Sequence, residues 1–175
     1  MKRRVFLCCL LLTIFLSFPA FVFCQDGKAL IAFGDPIEYS YGGKPSKVIP
    51  IIEYQDGQRR SVGTEIRITG KEIFFISYTK FGCLLDFFPG VNGEVVIITS
   101  YGIFAKRDSS PEIFEVCRLG AKEELSSFVN FDPEHPRVFQ YTILDASTNC
   151  PRGIIKYDLD RGQFNREKIG RKPCS

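Results

Sequence analysis

Asp56-Gly57 and Asn92-Gly93 each stand between two runs of apolar and β-branched residues. An Asx-Gly pair supplies the positive φ angles that a two-residue hairpin needs, and few other dipeptides do. Gly70-Lys71 and Tyr101-Gly102 punctuate apolar runs in the same way, and Asp160-Arg161-Gly162 reads as a further hairpin loop. Turns this frequent force neighbouring strands to run antiparallel, because parallel strands need crossovers of a dozen residues or more. The chain must be a meander.

The segments between these turns alternate or are enriched in Val, Ile, Tyr and Phe, as strands require. Candidate strands are Leu30–Phe33, Ile37–Tyr41, Lys47–Tyr54, Arg59–Ile68, Glu72–Thr79, Cys83–Phe88, Glu94–Thr99, Ile103–Lys106, Ile113–Arg118, Val138–Leu144, Gly153–Asp158 and Phe164–Ile169. One segment departs from the pattern. Leu125, Phe128 and Val129 are spaced i, i+3, i+4 within Ala121–Asn130, which predicts one short amphipathic helix near 121–130. The expected fold class is therefore all-β, a barrel or sandwich. A small propeller is the alternative, with Ile73–Leu119 long enough for one four-stranded blade.

Met1-Lys2-Arg3-Arg4 followed by an apolar run from Val5 to Cys24 has the pattern of a secretory signal. Residues 1–24 are thus expected to be a signal peptide or an N-terminal membrane anchor, and 25–175 a single exported domain. Cys24, directly after the apolar run, is also a candidate lipidation site, although Phe23 before it is bulkier than such sites favour. All three readings place the body outside the cytoplasm: secreted, periplasmic or attached to the cell envelope, with membrane association through the N-terminus in two of them. The three N-terminal bases account for the whole formal net charge of +3. The body is neutral, which argues against a nucleic-acid partner, since displacing phosphate counterions needs a basic excess.

Cys83, Cys117, Cys150 and Cys174 follow the apolar run, an even number suited to an oxidising compartment. The shortest loops pair Cys83 with Cys117 and Cys150 with Cys174. None of the four has the close spacing that structural zinc favours.

Motifs that carry chemistry are few. Gly42-Gly43-Lys44-Pro45-Ser46 has a proline where a phosphate loop needs Ser or Thr, so it reads as a turn. Asp158 and Asp160 match two positions of a calcium loop, but its third acid and its terminal Glu are missing. They are weak metal candidates, and Asp side chains commonly cap turns. His135 is the sole histidine and so the weak catalytic candidate, with no Gly-x-Ser-x-Gly elbow to partner it. No cofactor is implied.

Tyr39 and Tyr41 share one strand face, as do Phe74, Ile76 and Tyr78, with Phe81, Phe87, Phe88 and Phe104 nearby along the chain. Most belong in a core; any left exposed would serve binding. Seven bases from Arg152 to Lys172 face three acids and would guard an edge strand or touch an anionic surface. The expected function is a non-enzymatic exported β-domain that binds a protein, a glycan or a small apolar ligand. The alternatives are a small secreted hydrolase using His135 or a carboxylate pair, and a structural envelope protein.

Overall fold

The computed structural model describes residues 29–131 and 137–169, with side chains described outside 127–131. Within the described residues thirteen strands form three antiparallel sheets in chain order. The first sheet contains β1 (Leu30–Phe33), β2 (Ile37–Tyr41), β3 (Lys44–Gln55), β4 (Gln58–Ile68) and β5 (Phe74–Ser77), with β1 and β2 both pairing with β3. A single turn of helix, α1 (Tyr78–Phe81), leads into the middle sheet of β6 (Leu84–Pro89), β7 (Val95–Thr99), β8 (Gly102–Lys106) and β9 (Ile113–Arg118). The third sheet is β10 (Glu123–Phe131), β11 (Val138–Asp145), β12 (Pro151–Asp158) and β13 (Gln163–Lys168).

The hairpin signals are largely realised, although at Asn92-Gly93 only the glycine takes a positive φ, of 78°. Asp56 and Gly57 join β3 to β4 with φ of 51° and 76°. Gly42 and Gly43, both at positive φ, turn β2 into β3, so the Gly-Gly-Lys-Pro-Ser segment is a hairpin. Among the described residues the sheets are open and no barrel closes. Ile73–Leu119 is not one blade, because β5 pairs with β4 of the first sheet and only β6 to β9 form the middle one.

The expected helix near 121–130 is also corrected: Glu123–Phe131 is the strand β10, paired with β11. The register slips between Leu125, opposite Ile143, and Val129, opposite Tyr141. Four residues on β10 therefore answer two on β11, and an irregular strand reproduces a helical i, i+4 spacing. Pairing with β11 overrides local periodicity here.

The middle sheet explains the layering. Val95 to Thr99 and Gly102 to Lys106 are buried at every position. A strand with both faces covered loses the apolar–polar alternation of a half-exposed one. Val95, Ile97, Phe87 and Phe104 pack against Ile66, Ile68, Phe74 and Ile76 of the first sheet. Their chain neighbours Val96, Ile98, Phe88 and Ile103 pack against Leu125, Tyr141, Ile143 and Ile155 of the third. Consecutive residues thus serve opposite cores, as period two demands. Each fully buried aliphatic side chain contributes about 1.5–3 kcal/mol.

Polar ties lock the layers. Tyr39 on β2 stacks on Phe87 with ring centroids 4.7 Å apart and donates its hydroxyl hydrogen to Asp86 of β6. Burial and that bond push the Tyr39 hydroxyl well above its ordinary pKa. In the third sheet the Arg166 guanidinium reaches the Glu123 carboxylate at 2.7 Å, joining β13 to the start of β10.

Candidate functional site

The β7–β8 turn, Ser100-Tyr101, is where the three sheets meet. Three of its four backbone polar groups bond elements distant in sequence and the fourth bonds the neighbouring Thr99 side chain. Ser100 N–H donates to the Cys83 carbonyl at 2.9 Å, and its own carbonyl accepts from Leu125 N–H of β10 at 2.9 Å. Tyr101 accepts from Leu119 N–H at 3.0 Å, while its N–H donates to Thr99 Oγ1 at 3.2 Å. The Thr99 hydroxyl, fully buried, donates in turn to the Phe81 carbonyl at the end of α1. Satisfied backbone groups of this kind fix a turn that would otherwise be mobile. The Tyr101 side chain is nevertheless 42% exposed.

Two open clefts flank this turn and share Thr79, Tyr101 and Glu124 in their walls. The larger, about 510 Å³, is completed chiefly by Lys80, Arg118, Glu123 and Ala146. The smaller, about 330 Å³, adds Arg60, Ser61, Tyr78, Cys83 and Ser100. Together they make one groove to which all three sheets and α1 contribute. Its charges divide into engaged and unengaged ones. Arg118 donates to the Lys80 carbonyl at 2.6 Å and lies 3.5 Å from Glu115. Glu123 accepts from Gly120 N–H at 3.1 Å and pairs with Arg166. Arg60 and Glu124 form no ion pair among the described residues, and the Lys80 ammonium meets only the Phe81 ring, at 5.0 Å.

Two of the cysteines differ from expectation. Cys83 and Cys117 are free thiols, so the expected bridge between them is absent. Cys83 immediately precedes β6 and Cys117 lies in β9, the opposite edge of the middle sheet, so the order β6–β7–β8–β9 puts three interstrand steps between them. Three steps span about 14 Å, twice the roughly 7 Å limit on Cα separation in a disulfide. Cys83 is exposed in the smaller cleft. Cys117 is partly buried, and desolvation pushes its thiol pKa upward against the lowering influence of Arg166. The Cys150 sulfur is in a disulfide. Cys174, Cys24 and His135 lie outside the described residues, as does the expected signal segment.

Asp158 and Asp160 act in their turn. Asp158 Oδ1 accepts the N–H groups of Asp160 and Arg161 at 2.9 and 3.1 Å, and Asp160 pairs with Arg137 at 2.5 Å. Among the described residues no three His, Cys, Asp or Glu side chains are grouped as a metal ion would need. Four of the C-terminal bases are paired: Arg152 with Asp145, Lys156 with Glu167, Arg161 with Asp158, and Arg166 with Glu123. These pairings tie four of the five described C-terminal bases to acids of the third sheet. The expected aromatic core is largely realised, with Tyr41, Phe74, Phe81, Phe87, Phe88 and Phe104 all buried. Tyr78 instead opens α1 and lines the smaller cleft.

Arg60, Lys80, Tyr101 and Glu124 carry no motif and were not among the residues the sequence singled out for chemistry. The one local signal is an aromatic side chain inside a hairpin turn, a place where burial is not expected. No protein-family model matches the chain, and neither the curated proteins nor the solved structures contain a match to it.

Proposed function

We propose that the chain is an exported, non-catalytic binding domain that holds a partner protein in the groove around Tyr101. The observation that carries this reading is a rigidly tied turn presenting an exposed aromatic ring between two clefts. Amphipathic rings on fixed backbone give contact area at small entropic cost, which is why Tyr is favoured at interfaces. Open walls bearing Arg60, Lys80 and Glu124 suit a hydrated, polar ligand better than a small apolar one, which favours an enclosed apolar pocket. Paired-carboxylate hydrolysis has weaker support in this groove, because Glu123 is committed to Arg166 and leaves Glu124 as the one unengaged acid. Export itself rests on the basic and apolar N-terminal sequence, and a disulfide between Cys150 and Cys174 is part of the same proposal.

Photo-crosslinking tests the reading. A Tyr101→benzoylphenylalanine variant produced in the native cell gives a discrete protein adduct, whereas the same group at Asn165, on the exposed edge strand β13, does not. Equal adducts from both positions, or none from position 101, reject the assignment.

A further inference from the structure

The chemistry of the ligand can be read further, on the premise that the groove is a binding site. The unengaged charges are ordered. Of these two clefts Arg60 lines the smaller and Lys80 the larger; Glu124 and Tyr101 stand in the walls of both. Along the groove the sign of free charge therefore runs positive, negative, positive. The central negative charge shares its position with an aromatic face, and a cation is favoured by both.

We propose that the groove binds an extended peptide segment whose side chains run acidic, basic, acidic, with the basic one seated between Glu124 and Tyr101. A regularly charged polyanion, such as a uronate glycan, fits less well because it sets a like charge against Glu124, and like charges juxtaposed are disfavoured. A neutral glycan leaves Arg60 and Lys80 unanswered. A peptide alone among these classes varies its charge from residue to residue while keeping an extended backbone. Period two in an extended segment places every second side chain on the same face, so the pattern corresponds to five residues with charges at the first, third and fifth.

The test uses full-length protein labelled with ¹⁵N and two probes, acetyl-Glu-Ala-Lys-Ala-Glu-amide and its charge inverse acetyl-Lys-Ala-Glu-Ala-Lys-amide. The first shifts the amide signals of Tyr101 and Glu124 and binds about tenfold tighter than the second, with the difference shrinking as salt is raised. Glu124→Lys reverses part of the selectivity, so that acetyl-Glu-Ala-Glu-Ala-Glu-amide becomes the better ligand. That exchange separates a charge contact from a folding defect. Equal binding of the two probes, or shifts confined to other surfaces, overturns the charge pattern. Binding of oligogalacturonate at Tyr101 with none of either peptide overturns the peptide assignment in favour of a glycan. Failure of the probes alongside a persistent adduct from position 101 rejects this inference and leaves the partner-binding reading standing.

Discussion

Gly82 and Tyr101 approach so closely that a β-carbon on the glycine would lie 2.8 Å from Cγ of the tyrosine ring and 2.4 Å from Oγ of Ser100. The glycine also sits at φ 82° and ψ 177°, a region that L-residues with side chains avoid. The ring at the centre of the groove is therefore positioned by an absent side chain at the end of α1. Gly82→Ala costs about 2–4 kcal/mol through combined strain and overlap and displaces Tyr101. Gly70→Ala is the control, with nearly the same φ of 81° but open space around it. That change costs about 1 kcal/mol. Urea unfolding of both variants checks the difference, and equal losses would show that the contact with Tyr101 is unimportant.

Adjacent residues in β7 report the double burial of the middle sheet. Ile97 and Ile98 are both fully buried, one in each core. Ile97→Ala and Ile98→Ala each lower stability by about 2–5 kcal/mol. A half-exposed strand would show one large and one negligible effect, so a pair of denaturation curves distinguishes the arrangements.

Asp145 contributes to the acid limb of stability. The Ser147 hydroxyl, then the Arg152 guanidinium and the Ser147 and Thr148 N–H groups, hold its carboxyl well below the usual carboxylate range. A carboxyl with a depressed folded-state pKa contributes stability above its unfolded pKa, about 3.9, and loses that contribution as pH falls below it. Stability measured by urea midpoint from pH 6 down to pH 2 should fall less steeply in Asp145→Asn, and the variant should be weaker than the parent at neutral pH. Parallel profiles for the two proteins would remove Asp145 from this role.

The two free thiols separate by reactivity. Cys83 is exposed at the groove, whereas Cys117 is half-covered and its thiolate is disfavoured by desolvation. Without reductant near pH 8, iodoacetamide labels Cys83 first and Cys117 slowly, as peptide mass spectrometry can follow. Cys150 stays unlabelled until the protein is reduced. Simultaneous labelling of Cys83 and Cys117 contradicts the difference in burial.

The strands were legible because their signals are local. Asp56-Gly57 needs no distant partner to bend the chain, and Val95 to Thr99 declares its burial by composition. The strand β10 was not legible: Leu125 and Val129 fit a helix repeat and an irregular strand equally, and the choice is made by Ile143 and Tyr141 on β11. The pairing of Cys83 with Cys117 failed for a related reason. Loop length favoured Cys83 with Cys117, but strand order, which a linear count does not reveal, holds them at opposite edges of one sheet. The groove was hidden most completely. Arg60, Lys80, Tyr101 and Glu124 come from the first sheet, α1, the middle sheet and the third, and only tertiary packing brings them to one place.

A sheet shared by two cores also constrains the order in which the molecule can be completed. As the chain emerges from its N-terminus, the first sheet can cover one side of β6–β9 at once, but Phe88, Val96, Ile98 and Ile103 stay wet until β10 to β12 arrive. The nascent protein passes through a stage with a greasy slab exposed, the kind of surface on which incomplete chains adhere to one another. Shortening the chain before β10 would leave that slab permanently uncovered, whereas β13, exposed along its whole length, adds nothing to its cover.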